Sequence, residues 1–551
     1  MASTSEQVVE SLDARQSFIV EAGAGSGKTS TLVECLSYLL GTRADDFVSG
    51  NQQIVCITYT NVAANEILAR INRDPLVRVS TIHDFLWSVM RGFQSELREG
   101  ILLANAAAEP KKRIEDLEIA GVTIEYWQYP RKWAEGKLHH DDIIALSAWM
   151  FSTYPKLARL VADRHPIIFV DEYQDTHEST IRLLLDVLVE SNSDRLTVGL
   201  FGDHMQKIYD RGVGKVERPS LRVIQKQENY RCSLAVIALL NQLRPSLQQV
   251  PGGANVQGSA RFFYSQAGVV DPVSRLRAQL HGEGWSEGRE KVLMLTRKGI
   301  AADLGWADLL AAYGQRGSLN VDDFMRRDDE FGALFAEIEE LTSAFADGRY
   351  GDFLARLATG SGPIRAHADK RKAADQMAQL NVLRQSATVG DVIDFVWSEG
   401  ILRKPRRVTL LEERISLAED PERAARDQQF LDDLRSVPFA QVTSFEKYLN
   451  DETPFSTNHG VKGEEYEDVL VVLDDTLWTM YKFEAVLAGD TSKNQFERTL
   501  NLFYVSCSRA QRNLVVLAVS PLSASALAGA RRLFGDSNVL ELPLATTESS
   551  D

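Results

Sequence analysis

Cysteine is scarce in this chain. The 551 residues include four, Cys35, Cys56, Cys232 and Cys507, spread far apart with no C-x-x-C pair. That spacing argues against a zinc ribbon or a disulfide framework and fits a reduced, cytoplasmic setting. Long apolar runs are missing as well, and none approaches the length of a membrane span. The polar, acidic N-terminus has no basic segment leading into an apolar one, so neither a secretory leader nor a membrane partner is expected. There is no repeat of solenoid period and no low-complexity block. Positive charge is in deficit, with 61 Lys and Arg against 77 Asp and Glu, a net charge of −16. Such a balance argues against a coat protein for nucleic acid. It leaves room for a local basic groove, because phosphate attraction is a near-field effect screened within about 8–10 Å.

What the chain does have is Ala22-Gly23-Ala24-Gly25-Ser26-Gly27-Lys28-Thr29. The stretch follows the apolar run Phe18-Ile19-Val20 and precedes a helical pattern through Leu32, Val33, Leu36 and Leu39. A glycine-rich turn between strand and helix lets backbone N–H groups and the helix N-terminus converge on an anion. The G-x-x-x-x-G-K-[ST] pattern is met except at its first position, where Ala22 stands. ATP is the expected ligand, cradled by Ala24 to Gly27 and Ser30. Lys28 would reach the β- and γ-phosphates and Thr29 would hold Mg²⁺. A second feature strengthens the first. Ile167-Ile168-Phe169-Val170 is an apolar strand ending in Asp171-Glu172. Beside a phosphate cradle, Asp171 would position the metal and Glu172 would orient the attacking water.

The length calls for several domains. Short strand-like runs at 18–20, 54–57 and 77–80 alternate with helical patterns, and this α/β pattern resumes at 167–170 and 196–201. We therefore expect a first domain from 1–90 and 156–222, interrupted by a helical insertion at 91–155. A second α/β region is expected from about Leu221. Its runs at 260–264, 292–295, 469–473 and 514–519 suggest a domain from 223–299 and 446–535. A helical insertion would span 300–445, where Leu334, Ile338, Leu341 and Phe345 recur at helical spacing, and a tail would follow at 536–551.

Asp171-Glu172-Tyr173-Gln174-Asp175-Thr176 resembles motif II of UvrD/Rep-type superfamily 1 DNA helicases, and the Ala-Gly-Ala-Gly-Ser-Gly-Lys-Thr loop resembles that family's phosphate cradle. Further stretches resemble the family's other motifs in the same order. Gln7, fifteen residues before Ala22, is similar to its adenine-reading glutamine. Thr58-Tyr59-Thr60-Asn61 and Thr81-Ile82-His83 resemble DNA-contacting motifs. Gly202-Asp203 with Gln206 and Tyr209 resembles motif III, whose glutamine contacts the γ-phosphate. Asn229-Tyr230-Arg231 resembles motif IV, implying adenine packing by Tyr230 and a phosphate contact by Arg231. His459-Gly460-Val461-Lys462-Gly463-Glu464-Glu465 resembles motif V, implying a ribose contact by Glu465. Tyr504-Val505-Ser506-Cys507-Ser508-Arg509-Ala510 resembles motif VI, implying an arginine finger at Arg509. The likeness runs from Gln7 to Ala510, with a divergent gap at about 300–445.

The resemblance implies two RecA-like P-loop domains, each a parallel sheet flanked by helices and each with a mainly helical insertion. It implies ATP hydrolysis between them and movement along single-stranded or partly duplex DNA, 3′ to 5′. Tyr59 is either a base-stacking platform or a buried strand tyrosine, and Asn61, His83, Arg211 and His459 are further DNA candidates. The sequence departs from the family in places. Motif III reads Tyr209-Asp210-Arg211-Gly212 and lacks the family's tryptophan, and Ser30 stands where the family often has arginine. No nuclease motif is recognisable after Ala510. Size and motif variants are similar to the helicase components of Gabija-type antiphage systems, which implies an OLD-family nuclease partner. A regulatory ATPase that senses DNA or nucleotide, or a general repair helicase, is the alternative reading.

Overall fold

A computed structural model describes residues 3–58, 61–127, 129–208, 212–266, 269–357, 364 and 366–543. Two six-stranded sheets, parallel throughout, form its framework. The first contains β1 (Phe18–Ala22), β2 (Ile54–Ile57), β3 (Val77–Ser80), β4 (Ile167–Asp171), β5 (Thr197–Gly202) and β6 (Arg222–Lys226). The second contains β7 (Ser259–Ser265), β8 (Glu290–Met294), β9 (Phe455–Thr457), β10 (Tyr466–Leu473), β11 (Ala510–Ala518) and β12 (Val539–Leu542). The first sheet runs β3-β2-β4-β5-β1-β6 and the second β9-β8-β10-β11-β7-β12. Numbered within each sheet, both orders are third, second, fourth, fifth, first, sixth. The two sheets are copies of one topology, as expected for paired RecA-like domains.

Parallel strands covered on both faces should be largely apolar, and the central strands β2, β4 and β5 of the first sheet are buried along their whole length. Along β1, Phe18, Val20 and Ala22 face α1 (Thr4–Asp13) and α2 (Lys28–Ser49), whereas Ile19 joins the core formed with the helices of 82–189. In the second sheet Phe263, Val292, Leu470 and Leu517 share a continuous core with the helices of 297–449. The opposite face, with Phe262, Val471 and Val516, is covered by α3 (Leu234–Leu243) and α4 (Phe496–Cys507). Helices interrupt the first sheet between β3 and β4 and the second between β8 and β9. The amphipathic pattern at 334–345 lies in the helix Gly332–Ala346, with Leu334, Ile338 and Leu341 buried.

Two expected boundaries require correction. Residues 223–226, expected to open the second domain, complete β6 and pair with β1 of the first sheet. Its alternating burial marks an edge strand that reads as readily into either neighbour. Residues 536–551 are not all tail, because Val539–Leu542 pairs with β7 at the edge of the second sheet. The terminal residues 544–551 lie outside the described residues.

Candidate active site

The cradle follows directly from β1. Gly25 and Gly27 have φ of 68° and 74°, in the left-handed region where a β-carbon is strained. A β-carbon on Gly25 would also lie 2.6 Å from Cβ of Arg231 and 2.7 Å from Oδ1 of Asn229. Glycine here allows the second half of the chain to press against the loop. Lys28 begins α2 and Thr29 follows it at the helix N-terminus, where the helix dipole favours an anion.

Asp171 ends β4 and Glu172 follows it with φ of 48°. Left-handed backbone in a residue other than glycine costs about 1–2 kcal/mol, a strain that is common at functional sites. Gln174 Nε2 donates to Glu172 Oε2 at 2.5 Å, and Lys28 Nζ lies 3.6 Å from Glu172 Oε1. Burial works against a charged Glu172, but Lys28, Lys462, the Gln174 amide and Arg509 outweigh it and hold its carboxyl well below the usual range. Asp171 shifts the other way, pushed up by burial and by the neighbouring Glu172 charge. A buried pair of carboxylates is a place where added positive charge is favoured.

The opposite wall comes from the second sheet and its connections. Asn229 is fully buried, and its Oδ1 accepts from the backbone N–H groups of Arg231 and Cys232, fixing the turn. Tyr230 N–H donates to the Gly25 carbonyl at 2.9 Å, while its ring is exposed to the cleft. Arg231 Nε donates to Glu465 Oε2 at 2.5 Å. The cleft encloses about 520 Å³, with Gly25, Ser26, Gly27 and Ser30 on one side and Tyr230, Arg231, Glu465 and Gln511 on the other. Arg509 is 1% exposed. Its guanidinium donates to the carbonyls of Val505 and Glu464 at 3.0 and 3.1 Å and to Ser508 Oγ at 2.9 Å. Burial and the nearby Arg231 lower its pKa to about 10. Two cations held this close favour an anion between the walls.

The structure thus gathers Gly25, Ser26, Gly27, Lys28, Ser30, Glu172, Tyr230, Arg231, Glu465 and Arg509 around one cleft. Gln206 is 4% exposed, and its Nε2 donates to Asp203 Oδ2 at 2.9 Å. Ala24 is committed to the contact between the walls, its N–H donating to Tyr504 Oη and its carbonyl accepting from Gln249. Ser30 Oγ accepts from Arg70. Gln7 lies on α1, which is tied to the cleft residue Glu34 by Ser5 Oγ at 2.6 Å. Among the DNA candidates, His83 packs its ring 4.8 Å from that of His140, and His459 shares a hydrogen bond with Tyr481 Oη at 2.9 Å. Tyr59, Arg211 and the side chain of Asn61 lie outside the described residues. Sequence reasoning assigned no role to Lys462, whose Nζ pairs with Asp175 and donates to the Gln206 carbonyl at 3.1 Å. It also missed Arg244, Gln249 and Tyr504. Lys462 and Tyr504 lay inside quoted motifs, so position in a motif was the available signal.

A cradle and two carboxylates on one parallel sheet, faced by arginines from a second sheet of the same topology, define a two-domain P-loop nucleotide-binding protein. Comparisons with known proteins narrow that class. Residues 5–211 match the family model of the AAA domain. The chain is 25% identical to Gabija protein GajB of Bacillus cereus (strain HuB5-5), over 94% of this chain and 95% of that protein. It is 27% identical over 288 residues to ATP-dependent DNA helicase UvrD1 of Mycobacterium tuberculosis (strain ATCC 25618 / H37Rv). That match covers 41% of this chain and 37% of UvrD1. ATP-dependent DNA helicase PcrA of Staphylococcus epidermidis (strain ATCC 12228 / FDA PCI 1200) is 25% identical over 45% of this chain and 41% of its own length. The chain is thus similar along nearly its whole length to GajB and, over less than half of it, to the helicases UvrD1 and PcrA.

Proposed function

We propose that this chain is an ATP-dependent DNA helicase and single-strand translocase that hydrolyses ATP between its two sheets and moves 3′ to 5′. The composite cleft carries this reading, with its cradle and carboxylates from one sheet and Tyr230, Arg231, Lys462, Glu465 and Arg509 from the other. The residues suit a nucleotide. Among the described residues Ser26 Oγ is buried without a hydrogen-bond partner, as is Asp175 Oδ1. Thr29 and Asp171 would hold Mg²⁺, which when bound neutralises phosphate charge.

The chain's own groups account for the rest. Lys28 exchanges Glu172 for the phosphates. Glu172, held by Gln174, accepts the proton of the attacking water. Tyr230 packs on the base, and Glu465 releases Arg231 as it takes the ribose. Arg231 and Arg509 then meet the charge on the transferring phosphoryl group, an effect worth about 10³–10⁵ in rate for arginine fingers. Because these groups sit on different domains, closure and reopening follow each turnover, and alternating grip on a single strand becomes movement.

The near full-length likeness to GajB supports a role in antiphage defence beside an OLD-family nuclease. The motif III departure at Tyr209-Asp210-Arg211 favours a second reading, an ATPase subunit that senses DNA for its partner. Strand displacement on a 3′-tailed duplex, with and without the nuclease, separates the two. Unwinding by the chain alone supports the helicase. ATP turnover without unwinding under either condition supports the sensor.

A further inference from the structure

Two acids are buried just below the cradle. Glu21 immediately precedes Ala22 on β1, and Asp203 follows β5, three residues before Gln206. Asp203 is fully buried and Glu21 is 12% exposed. Carboxylates in such surroundings need a cation, and the one they receive belongs to the other half of the molecule. Arg244 follows the last residue of α3, which packs on the second sheet, and is 3% exposed. Its Nη1 donates to Asp203 Oδ1 at 2.7 Å and its Nη2 to Glu21 Oε2 at 3.2 Å. His204 Nδ1 and the Tyr173 hydroxyl complete the shell around Glu21.

Asp203 faces two ways. Its Oδ1 takes the Arg244 guanidinium and the Met205 N–H, and its Oδ2 accepts from Gln206 Nε2 at 2.9 Å. One carboxylate therefore joins a second-domain cation to the amide assigned to the γ-phosphate. The peptide between them is fixed as well, since Gln206 N–H donates to the Asp203 carbonyl at 2.8 Å. Lys462, also from the second domain, holds the Gln206 carbonyl. The Gln206 segment is thus gripped from across the domain boundary at both its side chain and its backbone.

We propose that Arg244 is a positioning residue for hydrolysis. Acting through Asp203, it aims Gln206 correctly only when the second domain is docked against the first. Nucleotide binding by the cradle does not need this contact, but turnover does. The inference rests on the ATPase reading above and adds to it the route by which domain alignment reaches the phosphate-contacting amide.

The test is a double-mutant cycle of Arg244→Met and Gln206→Ala in the full chain, read as ATP turnover at saturating single-stranded DNA together with fluorescent ADP binding. Loss of one charge-assisted hydrogen bond network predicts a fall in kcat of about 10–100-fold for Arg244→Met. KM and ADP affinity should stay within about threefold. The double variant should be no slower than Gln206→Ala alone. Arg244→Lys keeps the charge without the forked reach and should recover part of kcat; if Arg244→Met does not fold, the cycle is run with Arg244→Lys. Multiplying effects of the two substitutions, an unchanged kcat, or parallel changes in kcat and ADP affinity would overturn the proposal. An unmutated protein that hydrolyses no ATP would instead overturn the function on which it rests.

Discussion

Replacing Glu172 by glutamine separates chemistry from binding. The amide keeps the volume of the carboxylate and removes its charge. It can no longer accept a proton from water, and a positioned general base contributes about 10²–10⁴-fold, or about 2.7–5.4 kcal/mol of barrier. Nucleotide affinity should change little, because the cradle, Lys28 and Tyr230 remain. Stability at neutral pH should fall. Glu172 stands beside buried Asp171, whose carboxyl is pushed up by burial and by this neighbouring charge. That repulsion is outweighed, because Lys28, Lys462 and Arg509 hold the Glu172 carboxyl well below the usual range, and losing its charge leaves those cations less compensated. The substitution also sits in left-handed backbone that glutamine tolerates no worse than glutamate. Steady-state ATP turnover, fluorescent-nucleotide binding and a thermal melt form the assay. We expect turnover down by at least about a hundredfold, affinity within about threefold, and a melting point at neutral pH below that of the parent. Turnover within tenfold of the parent would refute the base assignment, and lost ATP binding would refute the claim that the residue acts on water alone.

Arg509→Ala should lower kcat by about 10³-fold or more while leaving ADP affinity nearly intact, measured by the same turnover and binding assays. Gly25→Ala should abolish ATP binding, since its β-carbon would meet Asn229 and Arg231 within 2.7 Å at a φ of 68°; titration of labelled nucleotide checks this. Burial holds His83 and His165 near a pKa of about 4, against an ordinary 6.5. An unfolded chain takes up these protons first, so the stability they contribute is full above pH 6.5 and is lost as pH falls toward 4. The urea midpoint of the parent relative to His165→Asn should accordingly narrow between pH 7.5 and pH 4.5, and a constant difference would contradict the buried neutral imidazole.

Local chemistry made the first half of the site legible. The cradle, Asp171 and Glu172 lie on a strand, a turn and a helix end whose pattern is complete within a few residues. The second half was legible only as resemblance, because Arg231 and Arg509 meet the cradle through contacts hundreds of residues apart in the chain. Arg244 illustrates what was hidden. A lone arginine after an apolar helix reads as a solvated end, and nothing near it in sequence reveals Glu21 or Asp203. The strand assignments failed where the apolar signal is thin. β6 alternates as edge strands do, and β9 and β12 are only three and four residues long. The repeat of one sheet order in both halves was legible only through the resemblance, since it depends on pairing rather than on composition.

The most direct measurement is ATP turnover of the purified chain with and without single-stranded DNA, across a range of salt. If two domains close around ATP while gripping a strand, turnover rises with DNA, the rise weakens as salt increases, and Arg509→Ala abolishes it. Turnover that is indifferent to DNA would contradict a motor that works between these two sheets.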